Sequence, residues 1–261
     1  QPFSDILKLI FKEIFYLSLN KIFYYRPIFI FMISSILWLV YPWIYNNLNM
    51  IYRLVYLLFV IRLNVYPIIV VRWVSINNYS ILGIIRLISQ IISFEVLLFL
   101  IIFIIILIIE DYKLKNLLYY QINRKFFVYI YILYLIFIIT LLIDLNRVPF
   151  DLIEGESELV SGFNLEYYRR LFIFIFLSEY INLLFIRIIL LIIFYGLIYW
   201  SLIFNLIYLI NLFLLVIIRG VLARIRYDYL IYICWIELLV LVLYYLIYIY
   251  QIKELICIIY Y

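Results

Sequence analysis

Seven runs of mainly apolar residues divide the chain, at about 27–45, 54–74, 87–109, 127–145, 172–195, 200–218 and 230–250. Each is near the roughly 20 residues a helix needs to cross the hydrocarbon of a bilayer. None shows the period-two alternation of a membrane β-barrel strand. Polar breaks separate them, among them NNYS at 77–80 and EDYKLKN at 110–116. Residues 1–26 read differently. Ile6, Leu7, Leu9, Ile10, Ile14 and Leu17 are interleaved with Asp5, Lys8, Lys12 and Glu13. That pattern predicts an amphipathic helix lying on the membrane rather than crossing it. The expected fold is all-α, a polytopic membrane helix bundle of about seven transmembrane helices with an N-terminal amphipathic helix and an acidic loop. It forms one membrane domain over 1–261: the interfacial segment 1–26, four spanning helices in 27–145, the acidic loop 146–171, and three more helices and a tail in 172–261.

The polar residues are concentrated. Six of the 15 acids fall between positions 144 and 166, inside DLNRVPFDLIEGESELVSGFNLEYYRR, with Gly155, Gly162 and Pro149. A short connector needs few carboxylates, and this density is repulsive unless some are protonated or paired. Three further positions add to the picture. Glu95 is expected about seven residues into the third helix, some 10 Å deep by helical rise. Glu179 is expected at similar depth in the fifth, and Asp144 at the end of the fourth. A charge at helix centre costs roughly 2.5–3.5 kcal/mol on insertion scales, so three acids placed this way suggest a hydrated row that passes protons. Ion pairing with Arg62 or Arg187, which also fall inside apolar runs, is the competing account. Arg86 and Gln90 precede Glu95 at helical spacing, so one face presents a cation, an amide and an acid.

Composition narrows the chemistry. The chain is 71% hydrophobic, with 30 Tyr and 22 Phe, part of which fits the bias of an AT-rich genome. There is no His, and Cys234 and Cys257 lack zinc or iron–sulfur spacing. No metal site or redox centre is expected in this chain. Nor does anything point to nucleic acid. Seven crossings place 12 of the 20 basic residues on the side of the acidic loop and six on the other, which puts that loop inside.

Several stretches, in order, resemble one family: the chain 1, or H-type, membrane subunits of respiratory complex I, NADH:ubiquinone oxidoreductase. They are QPFSDILKLIFKE (1–13), NNYSILGIIRLISQIISFEV (77–96), DLNRVPFDLIEGESELVSGFNLEY (144–167), SEY (178–180) and RGVLARIRYD (219–228). The resemblance implies a subunit of the mitochondrial inner membrane, with the acidic loop facing the matrix. It implies ubiquinone as substrate, in a cavity shared with peripheral quinone-module subunits. FMN and iron–sulfur clusters would sit on partner subunits. Small membrane subunits, antiporter-like subunits and lipids such as cardiolipin would be further partners. By matching position, Glu95, Asp144, Glu154, Glu156 and Glu179 would belong to a carboxylate path that couples quinone reduction to proton translocation. Asp5, Lys8, Lys12, Glu13, Arg86, Gln90, Arg147, Asp151, Glu158, Ser161, Phe163, Glu166, Arg219, Arg224, Arg226 and Asp228 would shape the quinone cavity and its loops. Asp144 stands where the family has Glu, Ala223 where it has Pro, and Ile236 where it has Lys. The family's first spanning helix has no counterpart here, and a split gene with a separate polypeptide supplying that helix is expected.

Two other classes share some of these features. A stand-alone proton or cation transporter fits the intramembrane acids, but no inverted repeat or paired broken helices are seen. The membrane subunit of a related hydrogenase complex shares the ancestry without quinone.

Overall fold

The computed structural model describes residues 8, 11, 21–41, 52–74, 78–122, 125–144, 150, 170–197, 202–223 and 225–260. Among these there are helices and turns and no strand, so the all-α expectation holds. Three stretches are long and apolar enough to cross a membrane: Ile81–Ile109, Ile173–Tyr195 and Tyr227–Leu255. Tyr25–Val40, Tyr131–Ile143 and Leu202–Ile218 are shorter apolar helices. Together they make a multi-pass membrane helix bundle.

The described helices differ from the expected runs in several places. The first spanning helix, α1, is Lys21–Leu37, extended by a 3-10 turn at Trp38–Val40. The second run is two helices, α2 (Arg53–Leu63) and α3 (Val65–Val74), with a turn at Asn64. Pro67 explains the break: its ring clashes with the carbonyl four residues back, that of Leu63, where α2 stops. The third helix, α4, is Asn78–Ile109, a continuous 32 residues. NNYS is therefore no break beyond its first residue. Small polar residues suit a first helical turn, whose N–H groups have no intrahelical partner. After a turn closed by Glu110 at φ 62°, a short α5 (Leu114–Gln121) follows. The fourth run divides at Ile130 into α6 (Phe126–Tyr129) and α7 (Tyr131–Asp144); nothing in the sequence marks this division.

The fifth helix, α8, is Arg170–Leu190 and continues as a wider π turn over Leu191–Tyr195. Gly196 ends it at φ 65°, and the Leu197 N–H donates back to the Leu191 carbonyl at 3.5 Å. Helix α9 is Leu202–Val221. The last run opens as α10 (Tyr227–Tyr232), widens to a π turn at Ile233–Leu238, and continues as α11 (Leu239–Tyr260). It passes the expected end near 250 because the polar QIKE segment remains helical.

Two compact units organise the chain. One comprises Gln1–Tyr41, Phe59–Ser89 and Asp151–Phe185. In it α1 packs on α3. Phe31 meets Phe174 edge-on at 5.7 Å and Trp38 meets Phe185 at 5.9 Å, so α1 also lies against the first part of α8. Ile33, Leu37 and Val40, spaced as one helical stripe, are buried.

The other unit comprises Pro42–Leu58, Gln90–Phe150 and Ile186–Tyr261. Leu97, Ile101, Ile104 and Ile105 of α4 are fully buried there. An aromatic cluster joins α6, α7 and the π turn after α8. Phe127 stacks on Tyr195 at 5.0 Å, and Phe194 meets Tyr134 at 5.3 Å and Phe137 at 5.2 Å. On α9, Phe204, Asn211 and Leu215 face inward, while Leu202, Ile203, Leu206, Leu209 and Phe213 are exposed. An apolar outward face suits a bilayer, whose acyl chains are as apolar as leucine.

Candidate functional site

Glu95 lies deeper than its sequence context predicts. Because α4 starts at Asn78, Glu95 is 17 residues into the helix, about 26 Å along its axis. It is the middle residue of the apolar stretch Ile81–Ile109, 14 residues from either end. Its side chain is half-buried. The middle of a membrane-length helix is the costliest place for a charge.

Gln90, more than a turn before it, is fully buried. Its amide nitrogen donates to the Ile143 carbonyl at 3.4 Å and the Phe150 carbonyl at 3.3 Å. Ile143 is in the last turn of α7, where carbonyls lack intrahelical donors. Asp144, the next residue, ends that helix. Phe150 follows Pro149 at the entry to the acidic segment. Gln90 thus ties α4 to the end of α7 and to that entry. Its Oε1 is buried and accepts no hydrogen bond among the described residues. Ser93 Oγ donates to the Gln90 carbonyl at 2.7 Å, and Cys234, in the π turn before α11, donates to the Ser93 carbonyl at 3.5 Å. Sequence reasoning assigned Cys234 no role; the π turn that turns it inward has no sequence mark.

In the other unit, Glu179 is nine residues into α8 and six into the apolar stretch that starts at Ile173, about 9 Å. That matches the expected depth, and the side chain is half-buried. Ser178 beside it is buried and donates to the Ile175 carbonyl at 2.6 Å.

The remaining candidates divide by position. Arg86 is half-buried on α4, and Lys8 is exposed. Arg219 lies in α9 near its end. Arg226 pairs with Asp228 at 3.0 Å across the start of α10, both side chains largely exposed. An exposed pair of this kind adds little stability. Asp5, Lys12, Glu13, Arg147, Asp151, Glu154, Glu156, Glu158, Ser161, Phe163, Glu166 and Arg224 lie outside the described residues. Of the two arginines considered as partners for the acids, Arg62 is exposed. Arg187 is buried and pairs with no carboxylate among the described residues.

On the far side of Glu110 the turn is held by charge. Glu110 Oε1 accepts from Lys253 Nζ at 2.6 Å, and the ammonium holds the Glu110 carboxyl below its ordinary range. This joins the end of α4 to α11.

With this geometry in view, the comparisons decide the family. The NADH dehydrogenase family model matches residues 1–250. The chain belongs to the NADH dehydrogenase family. Chain 1 of NADH-ubiquinone oxidoreductase from Apis mellifera ligustica is 48% identical over 243 residues, covering 93% of this chain and 80% of that one. The Aedes aegypti chain 1 is 40% identical over 237 residues, covering 90% and 76%. A bacterial relative, an NADH-quinone oxidoreductase subunit from Ehrlichia canis, is 36% identical over 265 residues, covering 90% and 72%. The bacterial and insect relatives of this NADH dehydrogenase family member align with both of its compact units, so the match is not confined to one motif.

Proposed function

We propose that this chain is a membrane subunit of proton-pumping NADH:ubiquinone oxidoreductase in the mitochondrial inner membrane. It helps form the ubiquinone cavity and carries the carboxylate path that couples quinone reduction to proton translocation. The whole chain acts as one membrane domain of about seven crossings, with the acidic loop on the matrix side. Ubiquinone is the substrate. Partner subunits carry FMN and the iron–sulfur clusters, peripheral quinone-module subunits share the cavity, small membrane subunits and antiporter-like subunits flank it, and cardiolipin is among its lipids.

The observation that carries this reading is a half-buried acid at the midpoint of a 29-residue apolar stretch, in a chain whose residues 1–250 match the family. A carboxyl there can take up or release a proton as the charge around it changes, which is the role proposed for Glu95. Glu179 sits similarly within α8. Glu154 and Glu156 of the acidic loop, with Asp144 at the end of α7, link those acids to the quinone side. Reduction of quinone alters charge beside the loop, and the loop passes that change to the helices that begin and end it. Arg147, Asp151, Glu158, Ser161, Phe163 and Glu166 shape the loop. Asp5, Lys8, Lys12, Glu13, Arg86, Gln90, Arg219, Arg224, Arg226 and Asp228 shape the cavity's surroundings.

The test is Glu95→Gln and Glu179→Gln in the assembled complex. Each removes one titrating proton with almost no change in shape. Both variants assemble, and both lose most proton pumping together with quinone-reductase turnover, measured in sealed vesicles with a pH-sensitive dye. Full turnover and pumping in both would defeat the proposal.

A further inference from the structure

Arg187 has no place in the carboxylate path. It lies 17 residues into α8, about 25 Å along the axis from the end that meets the acidic segment. It is 3% exposed, and its Nε donates no hydrogen bond among the described residues. No carboxylate among the described residues pairs with it. The groups that act on it electrostatically are the hydroxyls of Tyr134 on α7 and Tyr208 on α9.

The other polar groups of this cluster share one property. Tyr134 and Tyr195 share a single hydroxyl–hydroxyl hydrogen bond of 3.1 Å. One of the two protons makes that bond and the other remains to be donated. Asn211, 4% exposed, lies three residues beyond Tyr208 on the inward face of α9, and its Nδ2 has no hydrogen-bond partner among the described residues. What is left over is therefore the Nε–H of a guanidinium, an amide N–H and a phenolic O–H. All are donors, and one carries a full positive charge.

A buried cation without a counter-charge is strongly unfavourable in a membrane interior. Water would satisfy the donors but not the charge. A metal ion or an ammonium would be repelled. Only an anion answers both needs. Aromatic rings crowd the tyrosines and limit its size: Phe194 and Phe127 pack against Tyr134 at 5.3 and 4.8 Å, and Phe204 stacks on Tyr208 at 6.2 Å. We propose that Arg187, Tyr134, Tyr208 and Asn211 hold a small monovalent anion of chloride size within the helix bundle. Its charge neutralises Arg187, and its lone pairs take the spare N–H and O–H groups. This site is independent of the carboxylate path, since none of its residues is an acid.

The test uses the full chain in the assembly isolated from its membrane. Chloride is titrated against gluconate, which is too large to enter, at constant ionic strength. The expected result is a saturable rise in the heat-inactivation midpoint with chloride and with bromide, because a ligand that binds only the folded state stabilises it. Radioactive chloride binds at one site per chain and is displaced by bromide. Arg187→Gln abolishes both responses. Asn211→Leu weakens the affinity about tenfold, as loss of one hydrogen bond near a charge predicts. Unchanged chloride dependence in Arg187→Gln would overturn the proposal. So would the absence of saturable chloride binding in the wild-type assembly, a measurement that needs no variant to fold. Restoration of stability by phosphatidylglycerol but not by chloride would assign the position to a lipid headgroup and overturn the small-ion reading.

Discussion

Replacing Gln90 by Leu removes one amide and little volume. The two bonds lost, at 3.4 and 3.3 Å, lie beyond the usual N–H to O range. Each is therefore placed at the low end of the net range, about 0.5 kcal/mol. The Ile143 carbonyl is buried and in the last turn of α7, so it would be left without a donor, at about 1–3 kcal/mol. The Phe150 carbonyl is only part-buried, and water can take over. Against these losses, Leu also removes a buried Oε1 that already lacks a partner, which returns about 1 kcal/mol. The balance is a loss of about 1–3 kcal/mol, concentrated where α7 meets the acidic segment. If that contact breaks on the way to inactivation, the heat-inactivation half-life falls roughly tenfold for each 1.4 kcal/mol. Quinone-reductase activity of the assembly falls with it. Ile92→Leu, on the exposed face of the same helix, serves as control. Gln90→Leu indistinguishable from that control in half-life and in quinone reduction would show that Gln90 does not hold these two carbonyls.

Other consequences can be checked in the same preparations. At Gly196 an added Cβ would sit 2.5 Å from Gln121 Oε1 and 2.7 Å from Gln121 Cβ, on a backbone at φ 65°; Gly196→Ala is expected to destabilise by about 1–3 kcal/mol, read as a lower inactivation midpoint, and an unchanged midpoint would count against that packing. The Glu110 carboxyl is held low by Lys253, so the pair contributes above the ordinary carboxylate pKa and its contribution is lost as pH falls through the depressed folded value. Glu110→Gln therefore matches the wild type in acid and differs slightly near neutrality, and the difference disappears in high salt because both groups reach solvent; a difference that persists in acid would contradict it.

The class of fold was readable in the run lengths alone, since a run of about 20 apolar residues fits little besides a membrane-crossing helix. The ends of the helices were less so. Pro67 could have signalled the stop at Leu63, because its clash with the fourth residue back is purely local. The start of α4 at Asn78 was obscured because Asn, Tyr and Ser read equally well as a loop or as a first turn. Reading them as a loop placed Glu95 near an end when it lies at the centre of its stretch. The wide turns at Leu191–Tyr195 and Ile233–Leu238 leave no trace in their mainly apolar sequences, LIIFY and ICWIEL. Their register is set by what packs against them. For the same reason Cys234 and Tyr195 could not be assigned partners in advance.

The wide turns also show why the acids of this bundle are informative. In a regular helix the Ile193 carbonyl would accept from the Leu197 N–H. Here Leu197 donates to Leu191 instead, and the Ile193 carbonyl is released into the interior. The side-chain amide of Gln121 donates to it. Gln90 does the same for the Ile143 carbonyl at the end of α7. In hydrocarbon every backbone carbonyl needs a donor, so amides at helix breaks have a structural reason to be there. An ionised carboxylate only accepts and cannot serve in this way. Glu95 lies mid-helix in α4, where no backbone break calls for a donor. Glu179 likewise lies within an unbroken part of α8. Broken helix ends thus account for the two buried glutamines. The proton exchange proposed for Glu95 and Glu179 is a separate role, since neither sits at such a break.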